Sequence, residues 1–318
     1  MIRNRNIAND AFIEFSKIQG MGADGPFVGE VHYVAKSGIQ ARTWLDGRVP
    51  GDHLHKTLDL AIDACVADRG DTIFIAPNHT ETLTGAGGLT LDKAGVSIFG
   101  LGRYDARPTF LMDGSTITGL VTAANMTLEN CIWNPGHADI ANLLLITAKG
   151  FRFAFNTIEE NTVDENWVDV IHAGVADNDY DGLELVGNEI FMTDAASVTA
   201  IDLLKNANDV KIIGNKITGT FDATPYAPIY CASTEIQLQL QILHNLIHNL
   251  HNANAVSAIS VANTASTGWM MYNHVYSLDV AGETPFLTGA TGIYCSQNYT
   301  TYAGTSSGFE YPAIGTLS

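Results

Sequence analysis

Asp177-Asn178-Asp179-Tyr180-Asp181-Gly182 sets three carboxylates at alternate positions ahead of a glycine. That is the spacing of the opening half of a calcium loop, where oxygen ligands surround the ion before the chain turns at Gly. The twelfth position of such a loop is Asn188 instead of a bidentate Glu, and strand-like residues follow instead of a helix. Two readings stand: Asp177, Asp179 and Asp181 hold a structural Ca²⁺, or they form a solvated turn.

Asp169 and Asp202 lie 13 and 14 residues after Asn156 and Asn188, so two neighbouring repeats could bring them together. Two carboxyl groups roughly 5–9 Å apart are what glycoside hydrolysis requires. The one-residue offset argues the other way, because it turns one side chain to the opposite face of a strand. His244, His248 and His251 form a third group. In one strand the first two share a face and the third opposes them. No Cys or acidic residue completes a metal set, so a stack of His and Asn at a corner is the plainer reading. Trp167, Tyr180, Tyr226, Tyr230, Trp269, Tyr272 and Tyr276 are either a sugar-stacking surface or core and subunit contacts. No phosphate-binding loop, dinucleotide glycine pattern or nucleophile elbow is present. No catalytic or cofactor-binding residue is assigned.

The elements that must position these groups follow from a repeat. Alternating apolar residues, then Asn, any residue and an apolar residue, recur with the asparagines at 130, 156, 188, 215, 245, 273 and 298. The spacings of 26, 32, 27, 30, 28 and 25 residues are those of one solenoid coil per repeat. A coil cannot bury its apolar residues alone, whereas stacked coils share one core. Asn tolerates the left-handed backbone of a sharp corner, and stacked Asn side chains can bond one another. Second apolar strips at 143–146, 168–171, 199–203 and 256–261 supply a further sheet of the same coils.

One amphipathic helix precedes the repeats. Leu58, Ala61, Ile62, Cys65 and Val66 form one apolar face. Thr57 is placed as N-cap, Asp59 in the first turn and Gly70 as terminator. Residues 1–54 show no sustained period and read as an arm that docks on a partner. The expected organisation is arm 1–54, capping helix 55–71, β-helix 72–300 and tail or cap 301–318.

The chain has 318 residues, 16 basic against 34 acidic, for a net charge of −18. That excess argues against nucleic acid, whose phosphates need Lys and Arg, and against an anionic membrane surface. The four cysteines lie far apart with no C-x-x-C pair, as expected of free thiols in a reducing cytoplasm. No signal peptide or membrane-spanning run is expected.

The stretch from Thr57 to Cys65, followed by Gly70-Asp71-Thr72-Ile73-Phe74-Ile75-Ala76-Pro77, resembles the opening of right-handed parallel β-helix proteins of the pectate-lyase-like kind. The Gly-Asn-x-Ile units at 187–190 and 214–217 are similar to that family's coils. The resemblance covers about residues 55–300 and implies an all-β, right-handed parallel β-helix with a capping helix. Such folds serve lyases, hydrolases, adhesins and phage tailspikes alike. The Asn-Thr-Asp, Asp-Asp and Gly-His-Gly motifs of polygalacturonases are missing, as is an Arg or Lys beside a calcium-binding carboxylate set. The non-repetitive arm and Asn78-His79-Thr80-Glu81-Thr82 look like phage structural members. The resemblance therefore implies a non-enzymatic virion protein: a capsid decoration, or a tail fibre or spike component. It would be made in the host cytoplasm, form a homotrimer, contact other virion proteins and touch a cell-surface glycan. The alternatives are a polysaccharide lyase or glycoside hydrolase, or a non-catalytic carbohydrate-binding adhesin.

Overall fold

The computed structural model describes residues 29–310 except 86, 161–163, 193–196, 222, 224–225, 251–256, 278–285 and 303–306. The chain is a parallel β-solenoid. Among the described residues three long sheets of 11, 10 and 8 strands run along it, with a separate two-stranded sheet, and a complete coil contributes one strand to each long sheet in turn. One coil, for example, runs Arg152–Ala154, Thr157–Glu159 and Trp167–Ala173. Its three strands pair in parallel with Glu184–Val186, Glu189–Met192 and Thr199–Leu203 of the next.

The repeat has the physical basis expected of it. In the first sheet Ile73, Ile98, Leu128, Phe153, Leu185, Ile212, Ile242 and Met270 stack in one inward column, all essentially buried. The corner between the first two sheets carries an asparagine ladder. The backbone N–H of Asn156 donates to Asn188 Oδ1, and Asn188 donates likewise to Asn215, Asn215 to Asn245, Asn245 to Asn273 and Asn273 to Asn298, at 2.9–3.1 Å. Each Nδ2 donates to a carbonyl of the preceding coil, such as Asn215 to Leu185 O at 2.9 Å.

Two details differ from the sequence reading. Asn130 is not in the ladder: Cys131 holds that position and donates its N–H to Asn156 Oδ1 at 2.9 Å. The left-handed residue of each corner is the one before the ladder, with φ between 53° and 66° at Asn130, Phe155, Gly187, Gly214, His244, Tyr272 and Gln297. The ladder asparagines are thus selected for hydrogen bonding, and the freedom of Gly is used one residue earlier.

The solenoid starts before residue 72. Val31–Val34, inside the segment read as an arm, pairs in parallel with Thr72–Ile75 across four residues. Leu54–His55 pairs on its other side. The helix is shorter than the period suggested, Leu58–Ala64, with Thr57 Oγ1 accepting from Leu60 N–H. It ends because the N–H of Val66 is taken by Asp71 Oδ2 at 2.8 Å, leaving Val66 exposed. Leu58, Ala61, Ile62 and Cys65 still enter the main core, against Val31–Val34, Thr72–Ile75 and Leu89–Leu91. Glu81, in the 78–82 run, accepts from Leu58 N–H at 2.9 Å and so holds the start of the helix. At the far end Ser307–Glu310 pairs antiparallel with Asn298–Tyr302, which covers the edge of the second sheet.

All four cysteines are free. Burial pushes Cys65 up to about 12 and Cys295 up to about 11, and raises Cys131 and Cys231 further. A thiol reagent at pH 8 is expected to leave Cys131 and Cys231 unmodified until the protein is unfolded. Immediate modification of all four in the native state would contradict this packing.

Candidate functional site

The third sheet gathers the most reactive set of side chains. Trp167–Ala173 and Thr199–Leu203 pair with Asp169 beside Thr199 and His172 beside Asp202. Both strands carry consecutive inward residues, Val170-Ile171 and Ala200-Ile201, all buried. The preceding strand does the same with Leu143-Leu144. At this bend the N–H groups of Ala200 and Ile201 both donate to Pro228 O, at 3.1 and 3.0 Å, the signature of a bulge. The bulge puts residues three apart on one face, so Asp169 and His172 both point outward.

His172 Nδ1 lies 3.4 Å from Asp169 Oδ2 and 3.8 Å from Asp202 Oδ2. One ligand atom from each of the three residues lies within 4.8 Å of the others. Thr199 Oγ1 donates to Asp169 Oδ1 at 2.6 Å and fixes that carboxylate. Asp202 is 4% exposed, and its Oδ1 has no hydrogen-bond partner. Burial, with the charge of Asp169 added, pushes the Asp202 carboxyl up to about 7 despite the opposing effect of His172. Hydrogen bonding to Asp169 raises His172, against burial. Tyr230 and Ser260 continue the column on the next coils and are buried.

The structure therefore brings Asp169 and Asp202 together and adds His172, which the sequence reading did not single out. Strict alternation placed residues three apart on opposite faces and the one-residue offset separated the carboxylates; the bulge removes both objections. The signal available in sequence was the apolar doublet repeated in three successive coils. For glycoside hydrolysis the carboxyl groups are near the closer of the two known spacings. Asp202, however, is too enclosed for a sugar ring to reach.

The other candidates are placed elsewhere. Asp179 Oδ2 accepts from the N–H groups of Val175 and Ala176, at 3.0 and 2.7 Å. Asp181 pairs with Lys149 at 2.8 Å and accepts from Asn208 N–H at 2.9 Å. Asp177 Oδ1 accepts from Asn206 N–H at 3.3 Å. Asp177 and Asp181 thus tie their turn to the neighbouring coils, and Asp179 closes the turn itself. His244 and His248 do not share a strand: His244 is a corner residue stacked on Tyr272 at 4.8 Å, and His248 lies in the second sheet, edge-on to Tyr276. His251 lies outside the described residues. Of the seven aromatic residues, Trp167, Tyr180 and Tyr230 are buried, whereas Tyr226, Trp269 and Tyr272 are exposed.

A second surface feature runs along the outer face of the first sheet. Ala154, Val186, Ile213, Leu243 and Met271 occupy one outward column on successive coils. Tyr33, Phe74 and Phe99 stand at the same position on the first coils with ring centroids 6.0–6.1 Å apart, and Glu129 separates them from Ala154. Beside it Arg152, Glu184 and Lys211 form a charged column, in which Arg152 and Lys211 both pair with Glu184 and Arg152 also reaches across to Glu129, at 2.8–3.0 Å. No helix over 18 residues is apolar enough to cross a membrane among the described residues. No family model, curated protein or solved structure matches the chain.

Proposed function

We propose that this chain is a non-enzymatic structural subunit of a phage particle, a capsid decoration or a tail fibre or spike component, built by side-by-side association of solenoids. The observation that carries the reading is the outward apolar column. A parallel sheet is normally covered on both faces, and the half-buried aliphatic side chains of Val186, Ile213, Leu243 and Met271 on four successive coils are the kind of surface that a partner buries. A rigid rod that grows in one dimension suits a particle component. The copy number of three and the virion location come from the resemblance of the first coils and the 78–82 run. The charged ladder beside the column would fix the register of neighbouring subunits.

Introducing charge into the column tests this. Ile213→Lys with Leu243→Lys is expected to convert the oligomer to monomer, with the far-UV circular dichroism of the parent retained. An oligomer of unchanged mass would remove the column from the interface.

Exposed Trp269 and Tyr294, adjacent across neighbouring coils, with Tyr272 nearby on the corner, favour a second role in glycan contact. Glycan-array binding that is lost in Trp269→Ala, with no shortening of the glycan, would establish it. Binding unaffected by that change would refute it.

A further inference from the structure

Asp202 is the one buried carboxylate among the described residues that leaves an oxygen without a hydrogen-bond donor. Oδ1 has no partner, and Oδ2, the oxygen that faces the cluster, comes no nearer to His172 Nδ1 than 3.8 Å; a carboxylate 4% exposed and so short of donors is costly unless something satisfies it. The side chains beside it reach solvent, His172 at 27% exposure and Asp169 at 13%, so the cluster is open to an ion from the His172 side.

We infer that Asp169, His172 and Asp202 bind a divalent first-row transition ion, with Zn²⁺ the best fit, on the outer face of the third sheet. The donor set is one imidazole and two carboxylates, a combination that Zn²⁺ accepts with further positions left for water. Two carboxylates match the charge of the ion. Bonds of ~2.1 Å in a tetrahedron hold donor atoms about 3.4 Å apart. Asp169 and Asp202 lie 3.4 and 3.8 Å from His172 Nδ1, within a few tenths of an ångström of that edge, and the two carboxylates are within 4.8 Å of each other. Thr199 Oγ1, bonded to Asp169 Oδ1, supplies the outer-sphere hydrogen bond that orients a ligating carboxylate. The three ligands come from two neighbouring coils, so the ion would cross-link successive turns of the solenoid.

The other convergence of donors, His32, Cys65 and Asp71, is a poorer site. Both oxygens of Asp71 are taken by Arg69 and by the backbone N–H groups of Glu30 and Val66.

The test compares the full chain with His172→Ala, Asp202→Asn and Thr199→Val. Each is stripped with chelator, dialysed against micromolar Zn²⁺ and assayed for bound metal by plasma mass spectrometry. The parent is expected to retain one ion per chain more than His172→Ala or Asp202→Asn. Thr199→Val, which removes no ligand, is expected to weaken binding roughly 10–100-fold, and serves if a ligand variant fails to fold. Retention that is equal in the parent and all three variants would overturn the assignment, as would no retention by the parent.

Discussion

Replacing Asn215 with Leu is expected to destabilise the protein by about 3–5 kcal/mol, the sum of two or more stranded polar groups at ~1–3 kcal/mol each. Asn215 Oδ1 accepts from both the backbone N–H and the Nδ2 of Asn188, and its own Nδ2 donates to Leu185 O and Asn245 Oδ1. Leucine has a similar volume but leaves the buried Asn188 N–H without its acceptor, and it takes a donor away from the Leu185 carbonyl and from Asn245 Oδ1. The ladder lies mid-solenoid, so the defect also weakens the coupling between the coils on its two sides, on which a repeat protein depends. Chemical denaturation followed by circular dichroism measures the loss. Asn130→Gly is the control: Asn130 sits outside the ladder at φ 60°, where glycine is at ease, and it should cost far less. Equal losses at the two sites would contradict the ladder.

Asp71→Ala is expected to have an effect of similar size at the N-terminal end, about 3–5 kcal/mol. Asp71 is fully buried. Its oxygens accept from Glu30 N–H and Arg69 Nε at 2.7 Å, and from Val66 N–H at 2.8 Å and Arg69 Nη2 at 2.6 Å. Removing the carboxylate frees the strand before Val31, the turn after the helix and the Arg69 guanidinium at once. Burial pushes this carboxyl up, but Arg69 and the two backbone donors outweigh it, and the net shift is downward. A lowered folded-state value means that the stabilisation is complete above the unfolded value of ~3.9 and is lost as pH falls through the folded one. The stability gap between the parent and Asp71→Asn should therefore be full at neutral pH and shrink below about pH 4. A gap that stays constant through acid would show that Asp71 acts by shape alone.

The sequence carried the architecture because coil length and Asn spacing are local patterns repeated many times. It misassigned what depends on pairing. Asn130 and Cys131 are adjacent, and only the alignment of Thr127 with Arg152 reveals which of them stacks under Asn156. Val31–Val34 lies in a segment that, as a single coil without a ladder Asn, gave no period to join. The helix ended early because of a carboxylate five residues beyond Val66. The Asp169–His172–Asp202 cluster was half visible: both aspartates stood out, and the histidine was hidden by a bulge that breaks the alternation on which faces are assigned. The outward column was hidden for a related reason, since Val186, Ile213 and Leu243 look like core residues until their inward neighbours are known.

If the outer apolar column meets another copy, as proposed above, the solenoid is an oligomer in solution. The mass of the unmodified protein in solution, by light scattering over a wide concentration range, tests it most directly. The expected result is a trimer whose mass does not change with dilution. A monomer at every concentration would contradict it and leave the column without a partner of its own kind.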